Sequence, residues 1–190
     1  MKYSKFYRAI IAVVMMLIGW LPSLANEFEV NGIIYNTTSD KTVKVAFVNS
    51  SYIGDVVIPS SIVYKGTTYS VTCIGAAAFY ECTSLTSIEI PNSVTKILDE
   101  AFHKCSSLTS VTWNVVRCND FEPYAYAPFY GCSNITSFTF GEGVEYIPAY
   151  LCYGLKSLTK VEIPNSVTSI GVGAFANCSG LTNIEPSSGV

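Results

Sequence analysis

A single histidine, His103, and only eleven Lys and Arg stand in this sequence of 190 residues, and each shortage removes a class of function. With one imidazole and no Cys-x-x-Cys pair, a site for zinc or another transition metal is not expected. The basic residues are scattered singly, without the stripe that a nucleic-acid backbone requires. Only one long apolar run is present, Ala9 to Leu21, and it is shorter than the roughly 20 residues that span a bilayer. No second run follows, so no membrane span is expected in the rest of the chain.

That apolar run has the flanks of a targeting signal. Lys2, Lys5 and Arg8 precede it, and Pro22-Ser23-Leu24-Ala25 ends it with small residues at the positions a signal peptidase reads. Residues 1–25 therefore read as a secretory signal peptide, with the mature chain expected to start near Asn26 and to be secreted or held at the cell surface. No cysteine follows the cleavage point and the last residues carry neither a hydrophobic tail nor a basic cluster, so no lipid anchor is expected. Removing the three basic residues of the signal leaves eight against fourteen Asp and Glu, a balance of about −6. Seven cysteines in an exported chain would ordinarily indicate a disulfide framework, but seven is odd and their spacing has another origin.

That origin is an internal repeat. Ala78-Phe79-Tyr80-Glu81-Cys82-Thr83-Ser84-Leu85-Thr86-Ser87-Ile88 returns as Ala101-Phe102-His103-Lys104-Cys105-Ser106-Ser107-Leu108-Thr109-Ser110-Val111, a step of 23 residues. The frame returns at Phe129 after a step of 27, then at Cys152 and Phe175 after steps of 23, which makes five coils. Within a coil, Ile88 and Ile90 fall on one face of a strand while Ser87 and Glu89 fall on the other. Pro91-Asn92-Ser93 turns the chain, Val94 and Ile97 return to the core, and the Ala-Phe stretch is expected to form a short helical turn. One coil cannot bury this much apolar surface alone, so coils stack and their strands pair in parallel. The expected fold is a β-rich solenoid with one parallel sheet of about five coils.

The pattern resembles the BspA-like leucine-rich repeats, also called Treponema-type, found in surface proteins of oral and gut bacteria and some mucosal protists. Ile90-Pro91-Asn92-Ser93-Val94-Thr95 and Ile163-Pro164-Asn165-Ser166-Val167-Thr168 carry it, with Ala-Phe-x-x-Cys-x-x-Leu-Thr at Ala101 and Ala174. The resemblance covers Ile58 to Glu185. Cys152 and Leu155 depart from it in the fourth coil, and the third coil carries four extra residues. Alternating Phe28–Tyr35 and Val43–Val48 predict a hairpin that caps the first coil, and Ile62–Tyr69 predicts a second. The expected organisation is a signal peptide over 1–25, a hairpin cap over 26–57 and repeats over 58–190, with truncation at the C-terminus an open reading. The family resemblance implies the same N-terminal cap and a role in adhesion to a host or bacterial surface protein.

Cys82, Cys105, Cys132 and Cys178 share one slot and read as stacked free thiols, each packing as a small apolar residue. His103 reads as a solvent-facing filler. Thr86, Thr109, Thr136, Thr159 and Thr182 form a column whose hydroxyls are expected to bond along the ladder. Sequons occur at Asn36, Asn49, Asn134 and Asn177. No cofactor and no catalytic cluster is expected.

Two surfaces remain for binding. One is the outward sheet face, with Ser87, Ser110, Ser137, Lys160 and Asn183 in one column and Glu89, Thr112, Thr139, Glu162 and Glu185 in the next. Five strands at about 4.8 Å give it on the order of 350 Å². The other is the enlarged third coil, with Arg117, Asp120, Glu122, Tyr124 and Tyr126. Repeat insertions favour binding faces, and tyrosine and arginine anchor interfaces, although the tyrosines would equally cover the coil's own apolar seam. Besides adhesion, a carbohydrate-binding module using Tyr124 and Tyr126 and a purely architectural segment are open readings. The last coil lacks, before Pro186, the apolar residue that Ile90 and Ile163 supply, which predicts an uncapped end and self-association.

Overall fold

The computed structural model describes residues 27–47, 52–123 and 126–186. The signal-peptide reading, Asn49 and Tyr124 lie outside these residues. The chain begins with an antiparallel pair, β1 (Glu27–Val30) and β2 (Ile33–Ser39), turned by Asn31-Gly32, both with left-handed backbone. β2 pairs antiparallel with β3 (Thr42–Val45), and β4 (Ile53–Val57) follows. The expected second hairpin is present as β5 (Ser61–Tyr64) and β6 (Thr67–Ile74), turned at Lys65-Gly66.

The coils then repeat one plan. The first has a long strand, β7 (Ser84–Ile90), and a short one, β8 (Lys96–Ile97). The second contributes β9 (Ser110–Trp113) and the third β10 (Ser137–Phe140) and β11 (Tyr146–Ile147). The fourth contributes β12 (Lys160–Ile163) and β13 (Ser169–Ile170), and the fifth β14 (Asn183–Pro186). The long strands form a parallel ladder in the order β10-β9-β7-β4, and β12 pairs with β14 in a separate parallel pair. The expected single sheet is thus interrupted between β10 and β12. The short strands form a second line, β3-β6-β8 and then β11-β13.

The long strands leave alternate side chains buried because their apolar residues recur at a spacing of two. Ile88, Val111 and Phe138 stack in register, as do Ile90, Trp113 and Phe140, and all six are buried. Across the core runs a ring column. Tyr52 meets Phe79 at 4.6 Å, Phe79 stacks on Phe102 at 5.0 Å, and Phe102 stacks on Phe129 at 4.8 Å. Burying each such ring contributes about 2–3 kcal/mol, so the column is a main source of cohesion between coils.

The Ala-Phe stretches are turns, and the expected helical turn is corrected. An α-helix directs every N–H into itself, whereas here alternate residues bond outward. The amides of Ala77, Phe79 and Glu81 donate to Asp99, Ala101 and His103 of the next coil, while those of Ala78, Tyr80 and Cys82 donate within the turn. Ala77 and Glu81 also take left-handed backbone (φ 53° and 52°), which no helix tolerates repeatedly.

The cap is also more continuous with the solenoid than a boundary at 57/58 implies. β3 pairs in parallel with β6, and β4 in parallel with β7. Tyr52 heads the ring column between them, so the segment forms an additional N-terminal turn. A bulge between Gly54 and Asp55, with Gly54 at φ 69°, hides this turn in the sequence by breaking the alternation.

Candidate functional site

The outward face of the long ladder is built by strand register. Asp55, Ser87, Ser110 and Ser137 align in one column, and Val57, Glu89, Thr112 and Thr139 in the next. Lys160 aligns with Asn183, and Glu162 with Glu185, in the separate β12–β14 pair. The structure therefore brings Ser87, Glu89, Ser110, Thr112, Ser137 and Thr139 together and sets Lys160 and Glu162 beyond the break. Spacing alone did not reveal β4, which adds Ile53 and Val57, 70% and 62% exposed, to the same face.

Several polar groups here bond one another. Ser87 Oγ and Thr86 Oγ1 donate to Asp55 Oδ1 at 2.7 and 2.8 Å, and these two bonds hold the Asp55 carboxyl below its usual range. Asn114 Nδ2 donates to Glu89 Oε1 at 3.2 Å. Lys160 Nζ bridges Glu162 and Glu185 at 2.9 and 2.8 Å, which raises its pKa and lowers that of Glu185. These pairs are well exposed, so they orient side chains more than they stabilise the fold. The expected threonine ladder is present in part: Thr109, Thr136 and Thr182 Oγ1 donate to the carbonyls of Thr86, Thr109 and Thr159.

In the enlarged coil, two candidates are committed to internal contacts. Arg117 lies 3.7 Å from Glu145 and over the Tyr146 ring at 5.7 Å. Asp120 accepts hydrogen bonds from the Tyr146 hydroxyl and from Ala149 N at 2.9 Å. The bond to Asp120 raises the Tyr146 pKa. Glu122 and Tyr126 are exposed, Tyr126 by 55%. A shallow groove of about 460 Å³, whose lining includes Val57, Glu89, Asn114, Val116 and Gly141, borders both the sheet face and this coil.

His103 is corrected. It is buried, with its ring between Tyr80 at 5.2 Å and Tyr130 at 5.5 Å, because neighbouring coils carry rings in the same slot. Among the described residues no group of three or more His, Cys, Asp and Glu is placed to hold a metal, and no helix is long and apolar enough to cross a membrane.

Parallel coils of 23 residues with one long strand each, a ring column and a small-residue outer face define a leucine-rich-repeat solenoid. The chain belongs to the BspA type leucine rich repeat region family, whose model matches residues 44–182 in six copies. The sequence shows five coils; the match begins within β3, and the additional N-terminal turn accounts for the difference. A leucine-rich repeat protein of Treponema pallidum is 27% identical with a TM-score of 0.65, covering 84% of this chain and 71% of its own. One from Bacteroides ovatus is 31% identical with a TM-score of 0.56 over 83% of this chain. The present chain spans 40% of that protein's length. A third, from Eubacterium ventriosum, is 21% identical with a TM-score of 0.62, covers 87% of this chain and 41% of its own, and shows the fold alone. No curated protein matches the chain. Repeats of this family point to a protein-binding or architectural role.

Proposed function

We propose that the chain is a secreted or surface-displayed binding module that adheres to a host or bacterial surface protein through the outward face of the long ladder. The observation that carries this reading is the exposed apolar side chain of Val57 at the end of the in-register Glu89, Thr112 and Thr139 column, with exposed Ile53 on the same strand. Apolar anchors beside short hydroxyl side chains offer a partner both desolvation and hydrogen bonding at little entropic cost. The groove that the sheet face shares with Val116 of the enlarged coil adjoins this surface, and the exposed Tyr126 and Glu122 of that coil offer a second patch. The basic and apolar N-terminal segment supports export.

Area limits the strength of this contact. Four paired strands at about 4.8 Å, each with about four residues, give on the order of 260 Å². A standard interface needs about 800 Å² per partner, so the face binds weakly unless the enlarged coil joins it or several copies act together. The test is a biosensor panel of immobilised matrix and bacterial surface proteins. At least one should bind, and Val57→Lys with Thr112→Lys should remove that binding while the melting temperature stays within a few degrees. Binding unchanged by these substitutions and by Tyr126→Ala, or no protein bound at all, would refute the proposal.

A further inference from the structure

On the turn that leads into each long strand, the second residue after the ring column takes left-handed backbone in every coil. These residues are Glu81 (φ 52°), Lys104 (57°), Gly131 (83°), Gly154 (75°) and Asn177 (61°). In the first two coils the position carries long side chains, and Glu81 and Lys104 reach each other at 3.5 Å across the surface. In the third and fourth it is glycine, and the surface falls into a cleft of about 680 Å³. A Cβ built on Gly154 would meet nothing within 4 Å. Glycine also relieves the backbone strain of such a φ, so the floor alone defines no site. The walls do.

Tyr130 and Tyr153 line the cleft together with Ser133, Lys156, Asn177 and Ser179. Both rings are held in place. Tyr130, 37% exposed, ends the stack of half-buried Tyr80 and buried His103, at 5.5 Å from the latter. Tyr153 accepts a hydrogen bond from Asn177 Nδ2 at 2.8 Å and meets Tyr150 edge-on at 6.0 Å. The ion pairs among the described residues leave Lys156 free, and no carboxylate lines the cleft. In a chain with an acidic balance this is a local positive site. The backbone nearby offers no ladder edge to a peptide, because Gly154 N already donates to Ala176 O and Lys104 N to Tyr130 O, each at 2.9 Å.

We propose that this cleft binds a carboxylate-bearing oligosaccharide, with Tyr130 and Tyr153 as ring walls and Lys156 as the partner of the sugar carboxylate. A sugar is amphipathic in the required way. Its C–H faces pack on tyrosine rings, its hydroxyls match Ser133, Ser179 and Asn177, and its carboxylate meets an ammonium that has no competing partner. The volume falls within the range of about 300–1,000 Å³ typical of small-ligand clefts. The site is separate from the sheet face and stands or falls independently of it.

The test uses the full chain and calorimetry with a tetrasaccharide of alternating glucuronate and N-acetylglucosamine, against a neutral N-acetylglucosamine tetrasaccharide. The acidic sugar should bind more tightly. Tyr130→Ala should weaken it about tenfold or more, and Lys156→Gln should remove the preference for acid while leaving the neutral sugar unchanged. Lys156 is exposed, so that variant reads the charge with packing intact, and Ser133→Trp, also at an exposed position, should block the cleft outright. Val57→Lys with Thr112→Lys should have no effect on sugar binding. No binding of the acidic tetrasaccharide at millimolar concentration, an equal affinity for the neutral one, or unaltered binding by Lys156→Gln and Ser133→Trp would overturn the proposal.

Discussion

The cysteines show how a repeat assigns a role to a single side chain. All seven are free, and three of the four thiols in the shared slot have a fixed acceptor one coil away. Cys105 Sγ donates to Phe79 O at 3.0 Å, Cys132 Sγ to Phe102 O at 3.0 Å, and Cys178 Sγ to Cys152 O at 2.9 Å. Burial pushes the Cys82 thiol up to about 11 and the Cys118 thiol up to about 12. Contact with Cys132, and then burial, raises Cys105 further still. Reactivity follows the thiolate, so the slot cysteines of the folded chain should resist an aromatic disulfide reagent at pH 8, and denaturation should release all seven. The raised values also set a pH dependence. Below about pH 8 folded and unfolded thiols are both largely protonated and stability is unaffected. As pH rises toward 11 the unfolded chain ionises first, so stability should fall through that window. Denaturant midpoints at pH 8 and pH 10.5 check this, and a flat profile or a single recovered thiol would contradict it. The slot was legible in the sequence because spacing placed four cysteines in one column. The acceptor carbonyls were not, because they belong to the neighbouring coil.

At the scale of elements, the enlarged third coil leaves the short-strand line without a strand between β8 and β11 and replaces it with side chains. Ile97 N donates to Asn119 Oδ1 and Asn119 Nδ2 donates to Ile97 O, both at 3.1 Å, so one carboxamide copies the two bonds of a strand residue. On the other side Asp120 receives Ala149 N, and Tyr146 N donates to Val116 O. The insertion is therefore a splice that keeps the coils in step. Asn119→Ala should lower stability by about 1–2 kcal/mol, since it strands one donor and one acceptor on Ile97. Asn119→Asp should cost a similar amount by losing the donor, whereas Glu122→Ala, at an exposed position, should cost little. Chemical denaturation of the three variants checks this, and equal midpoints would remove the splice. Four extra residues were visible in the sequence, but Asn119 resembled any loop asparagine because its partner lies 22 residues away.

At the scale of the whole molecule, the two ends of the stack differ. Antiparallel β2 and β1 cover the N-terminal end of the line through β3, while β4 is the edge of the long ladder; at the other end, among the described residues, β13 and β14 are edge strands with Ile170, Val172 and Ile184 exposed by 49%, 76% and 49%. Edge strands that carry exposed apolar side chains favour association. The chain should self-associate at tens of micromolar, and Ile170→Lys with Ile184→Lys should return it to monomer. Sedimentation that finds the unaltered chain monomeric at that concentration would refute this.

What the sequence by itself determined is the repeated part: the 23-residue step, the buried columns, the ring and thiol slots, and the two families of outward residues. These follow from local periodicity, since each coil meets the same environment as the last and must satisfy it with the same residue types. Only the tertiary structure decided what depends on the coil next door. His103 is buried because Tyr80 and Tyr130 flank it, β4 joins the face through a bulge, and the sheet breaks after β10. The cleft likewise exists because two successive coils place glycine where their predecessors place Glu81 and Lys104. Exposure in a solenoid is a property of neighbouring coils, and neighbours more than 20 residues apart are brought together only by the stack.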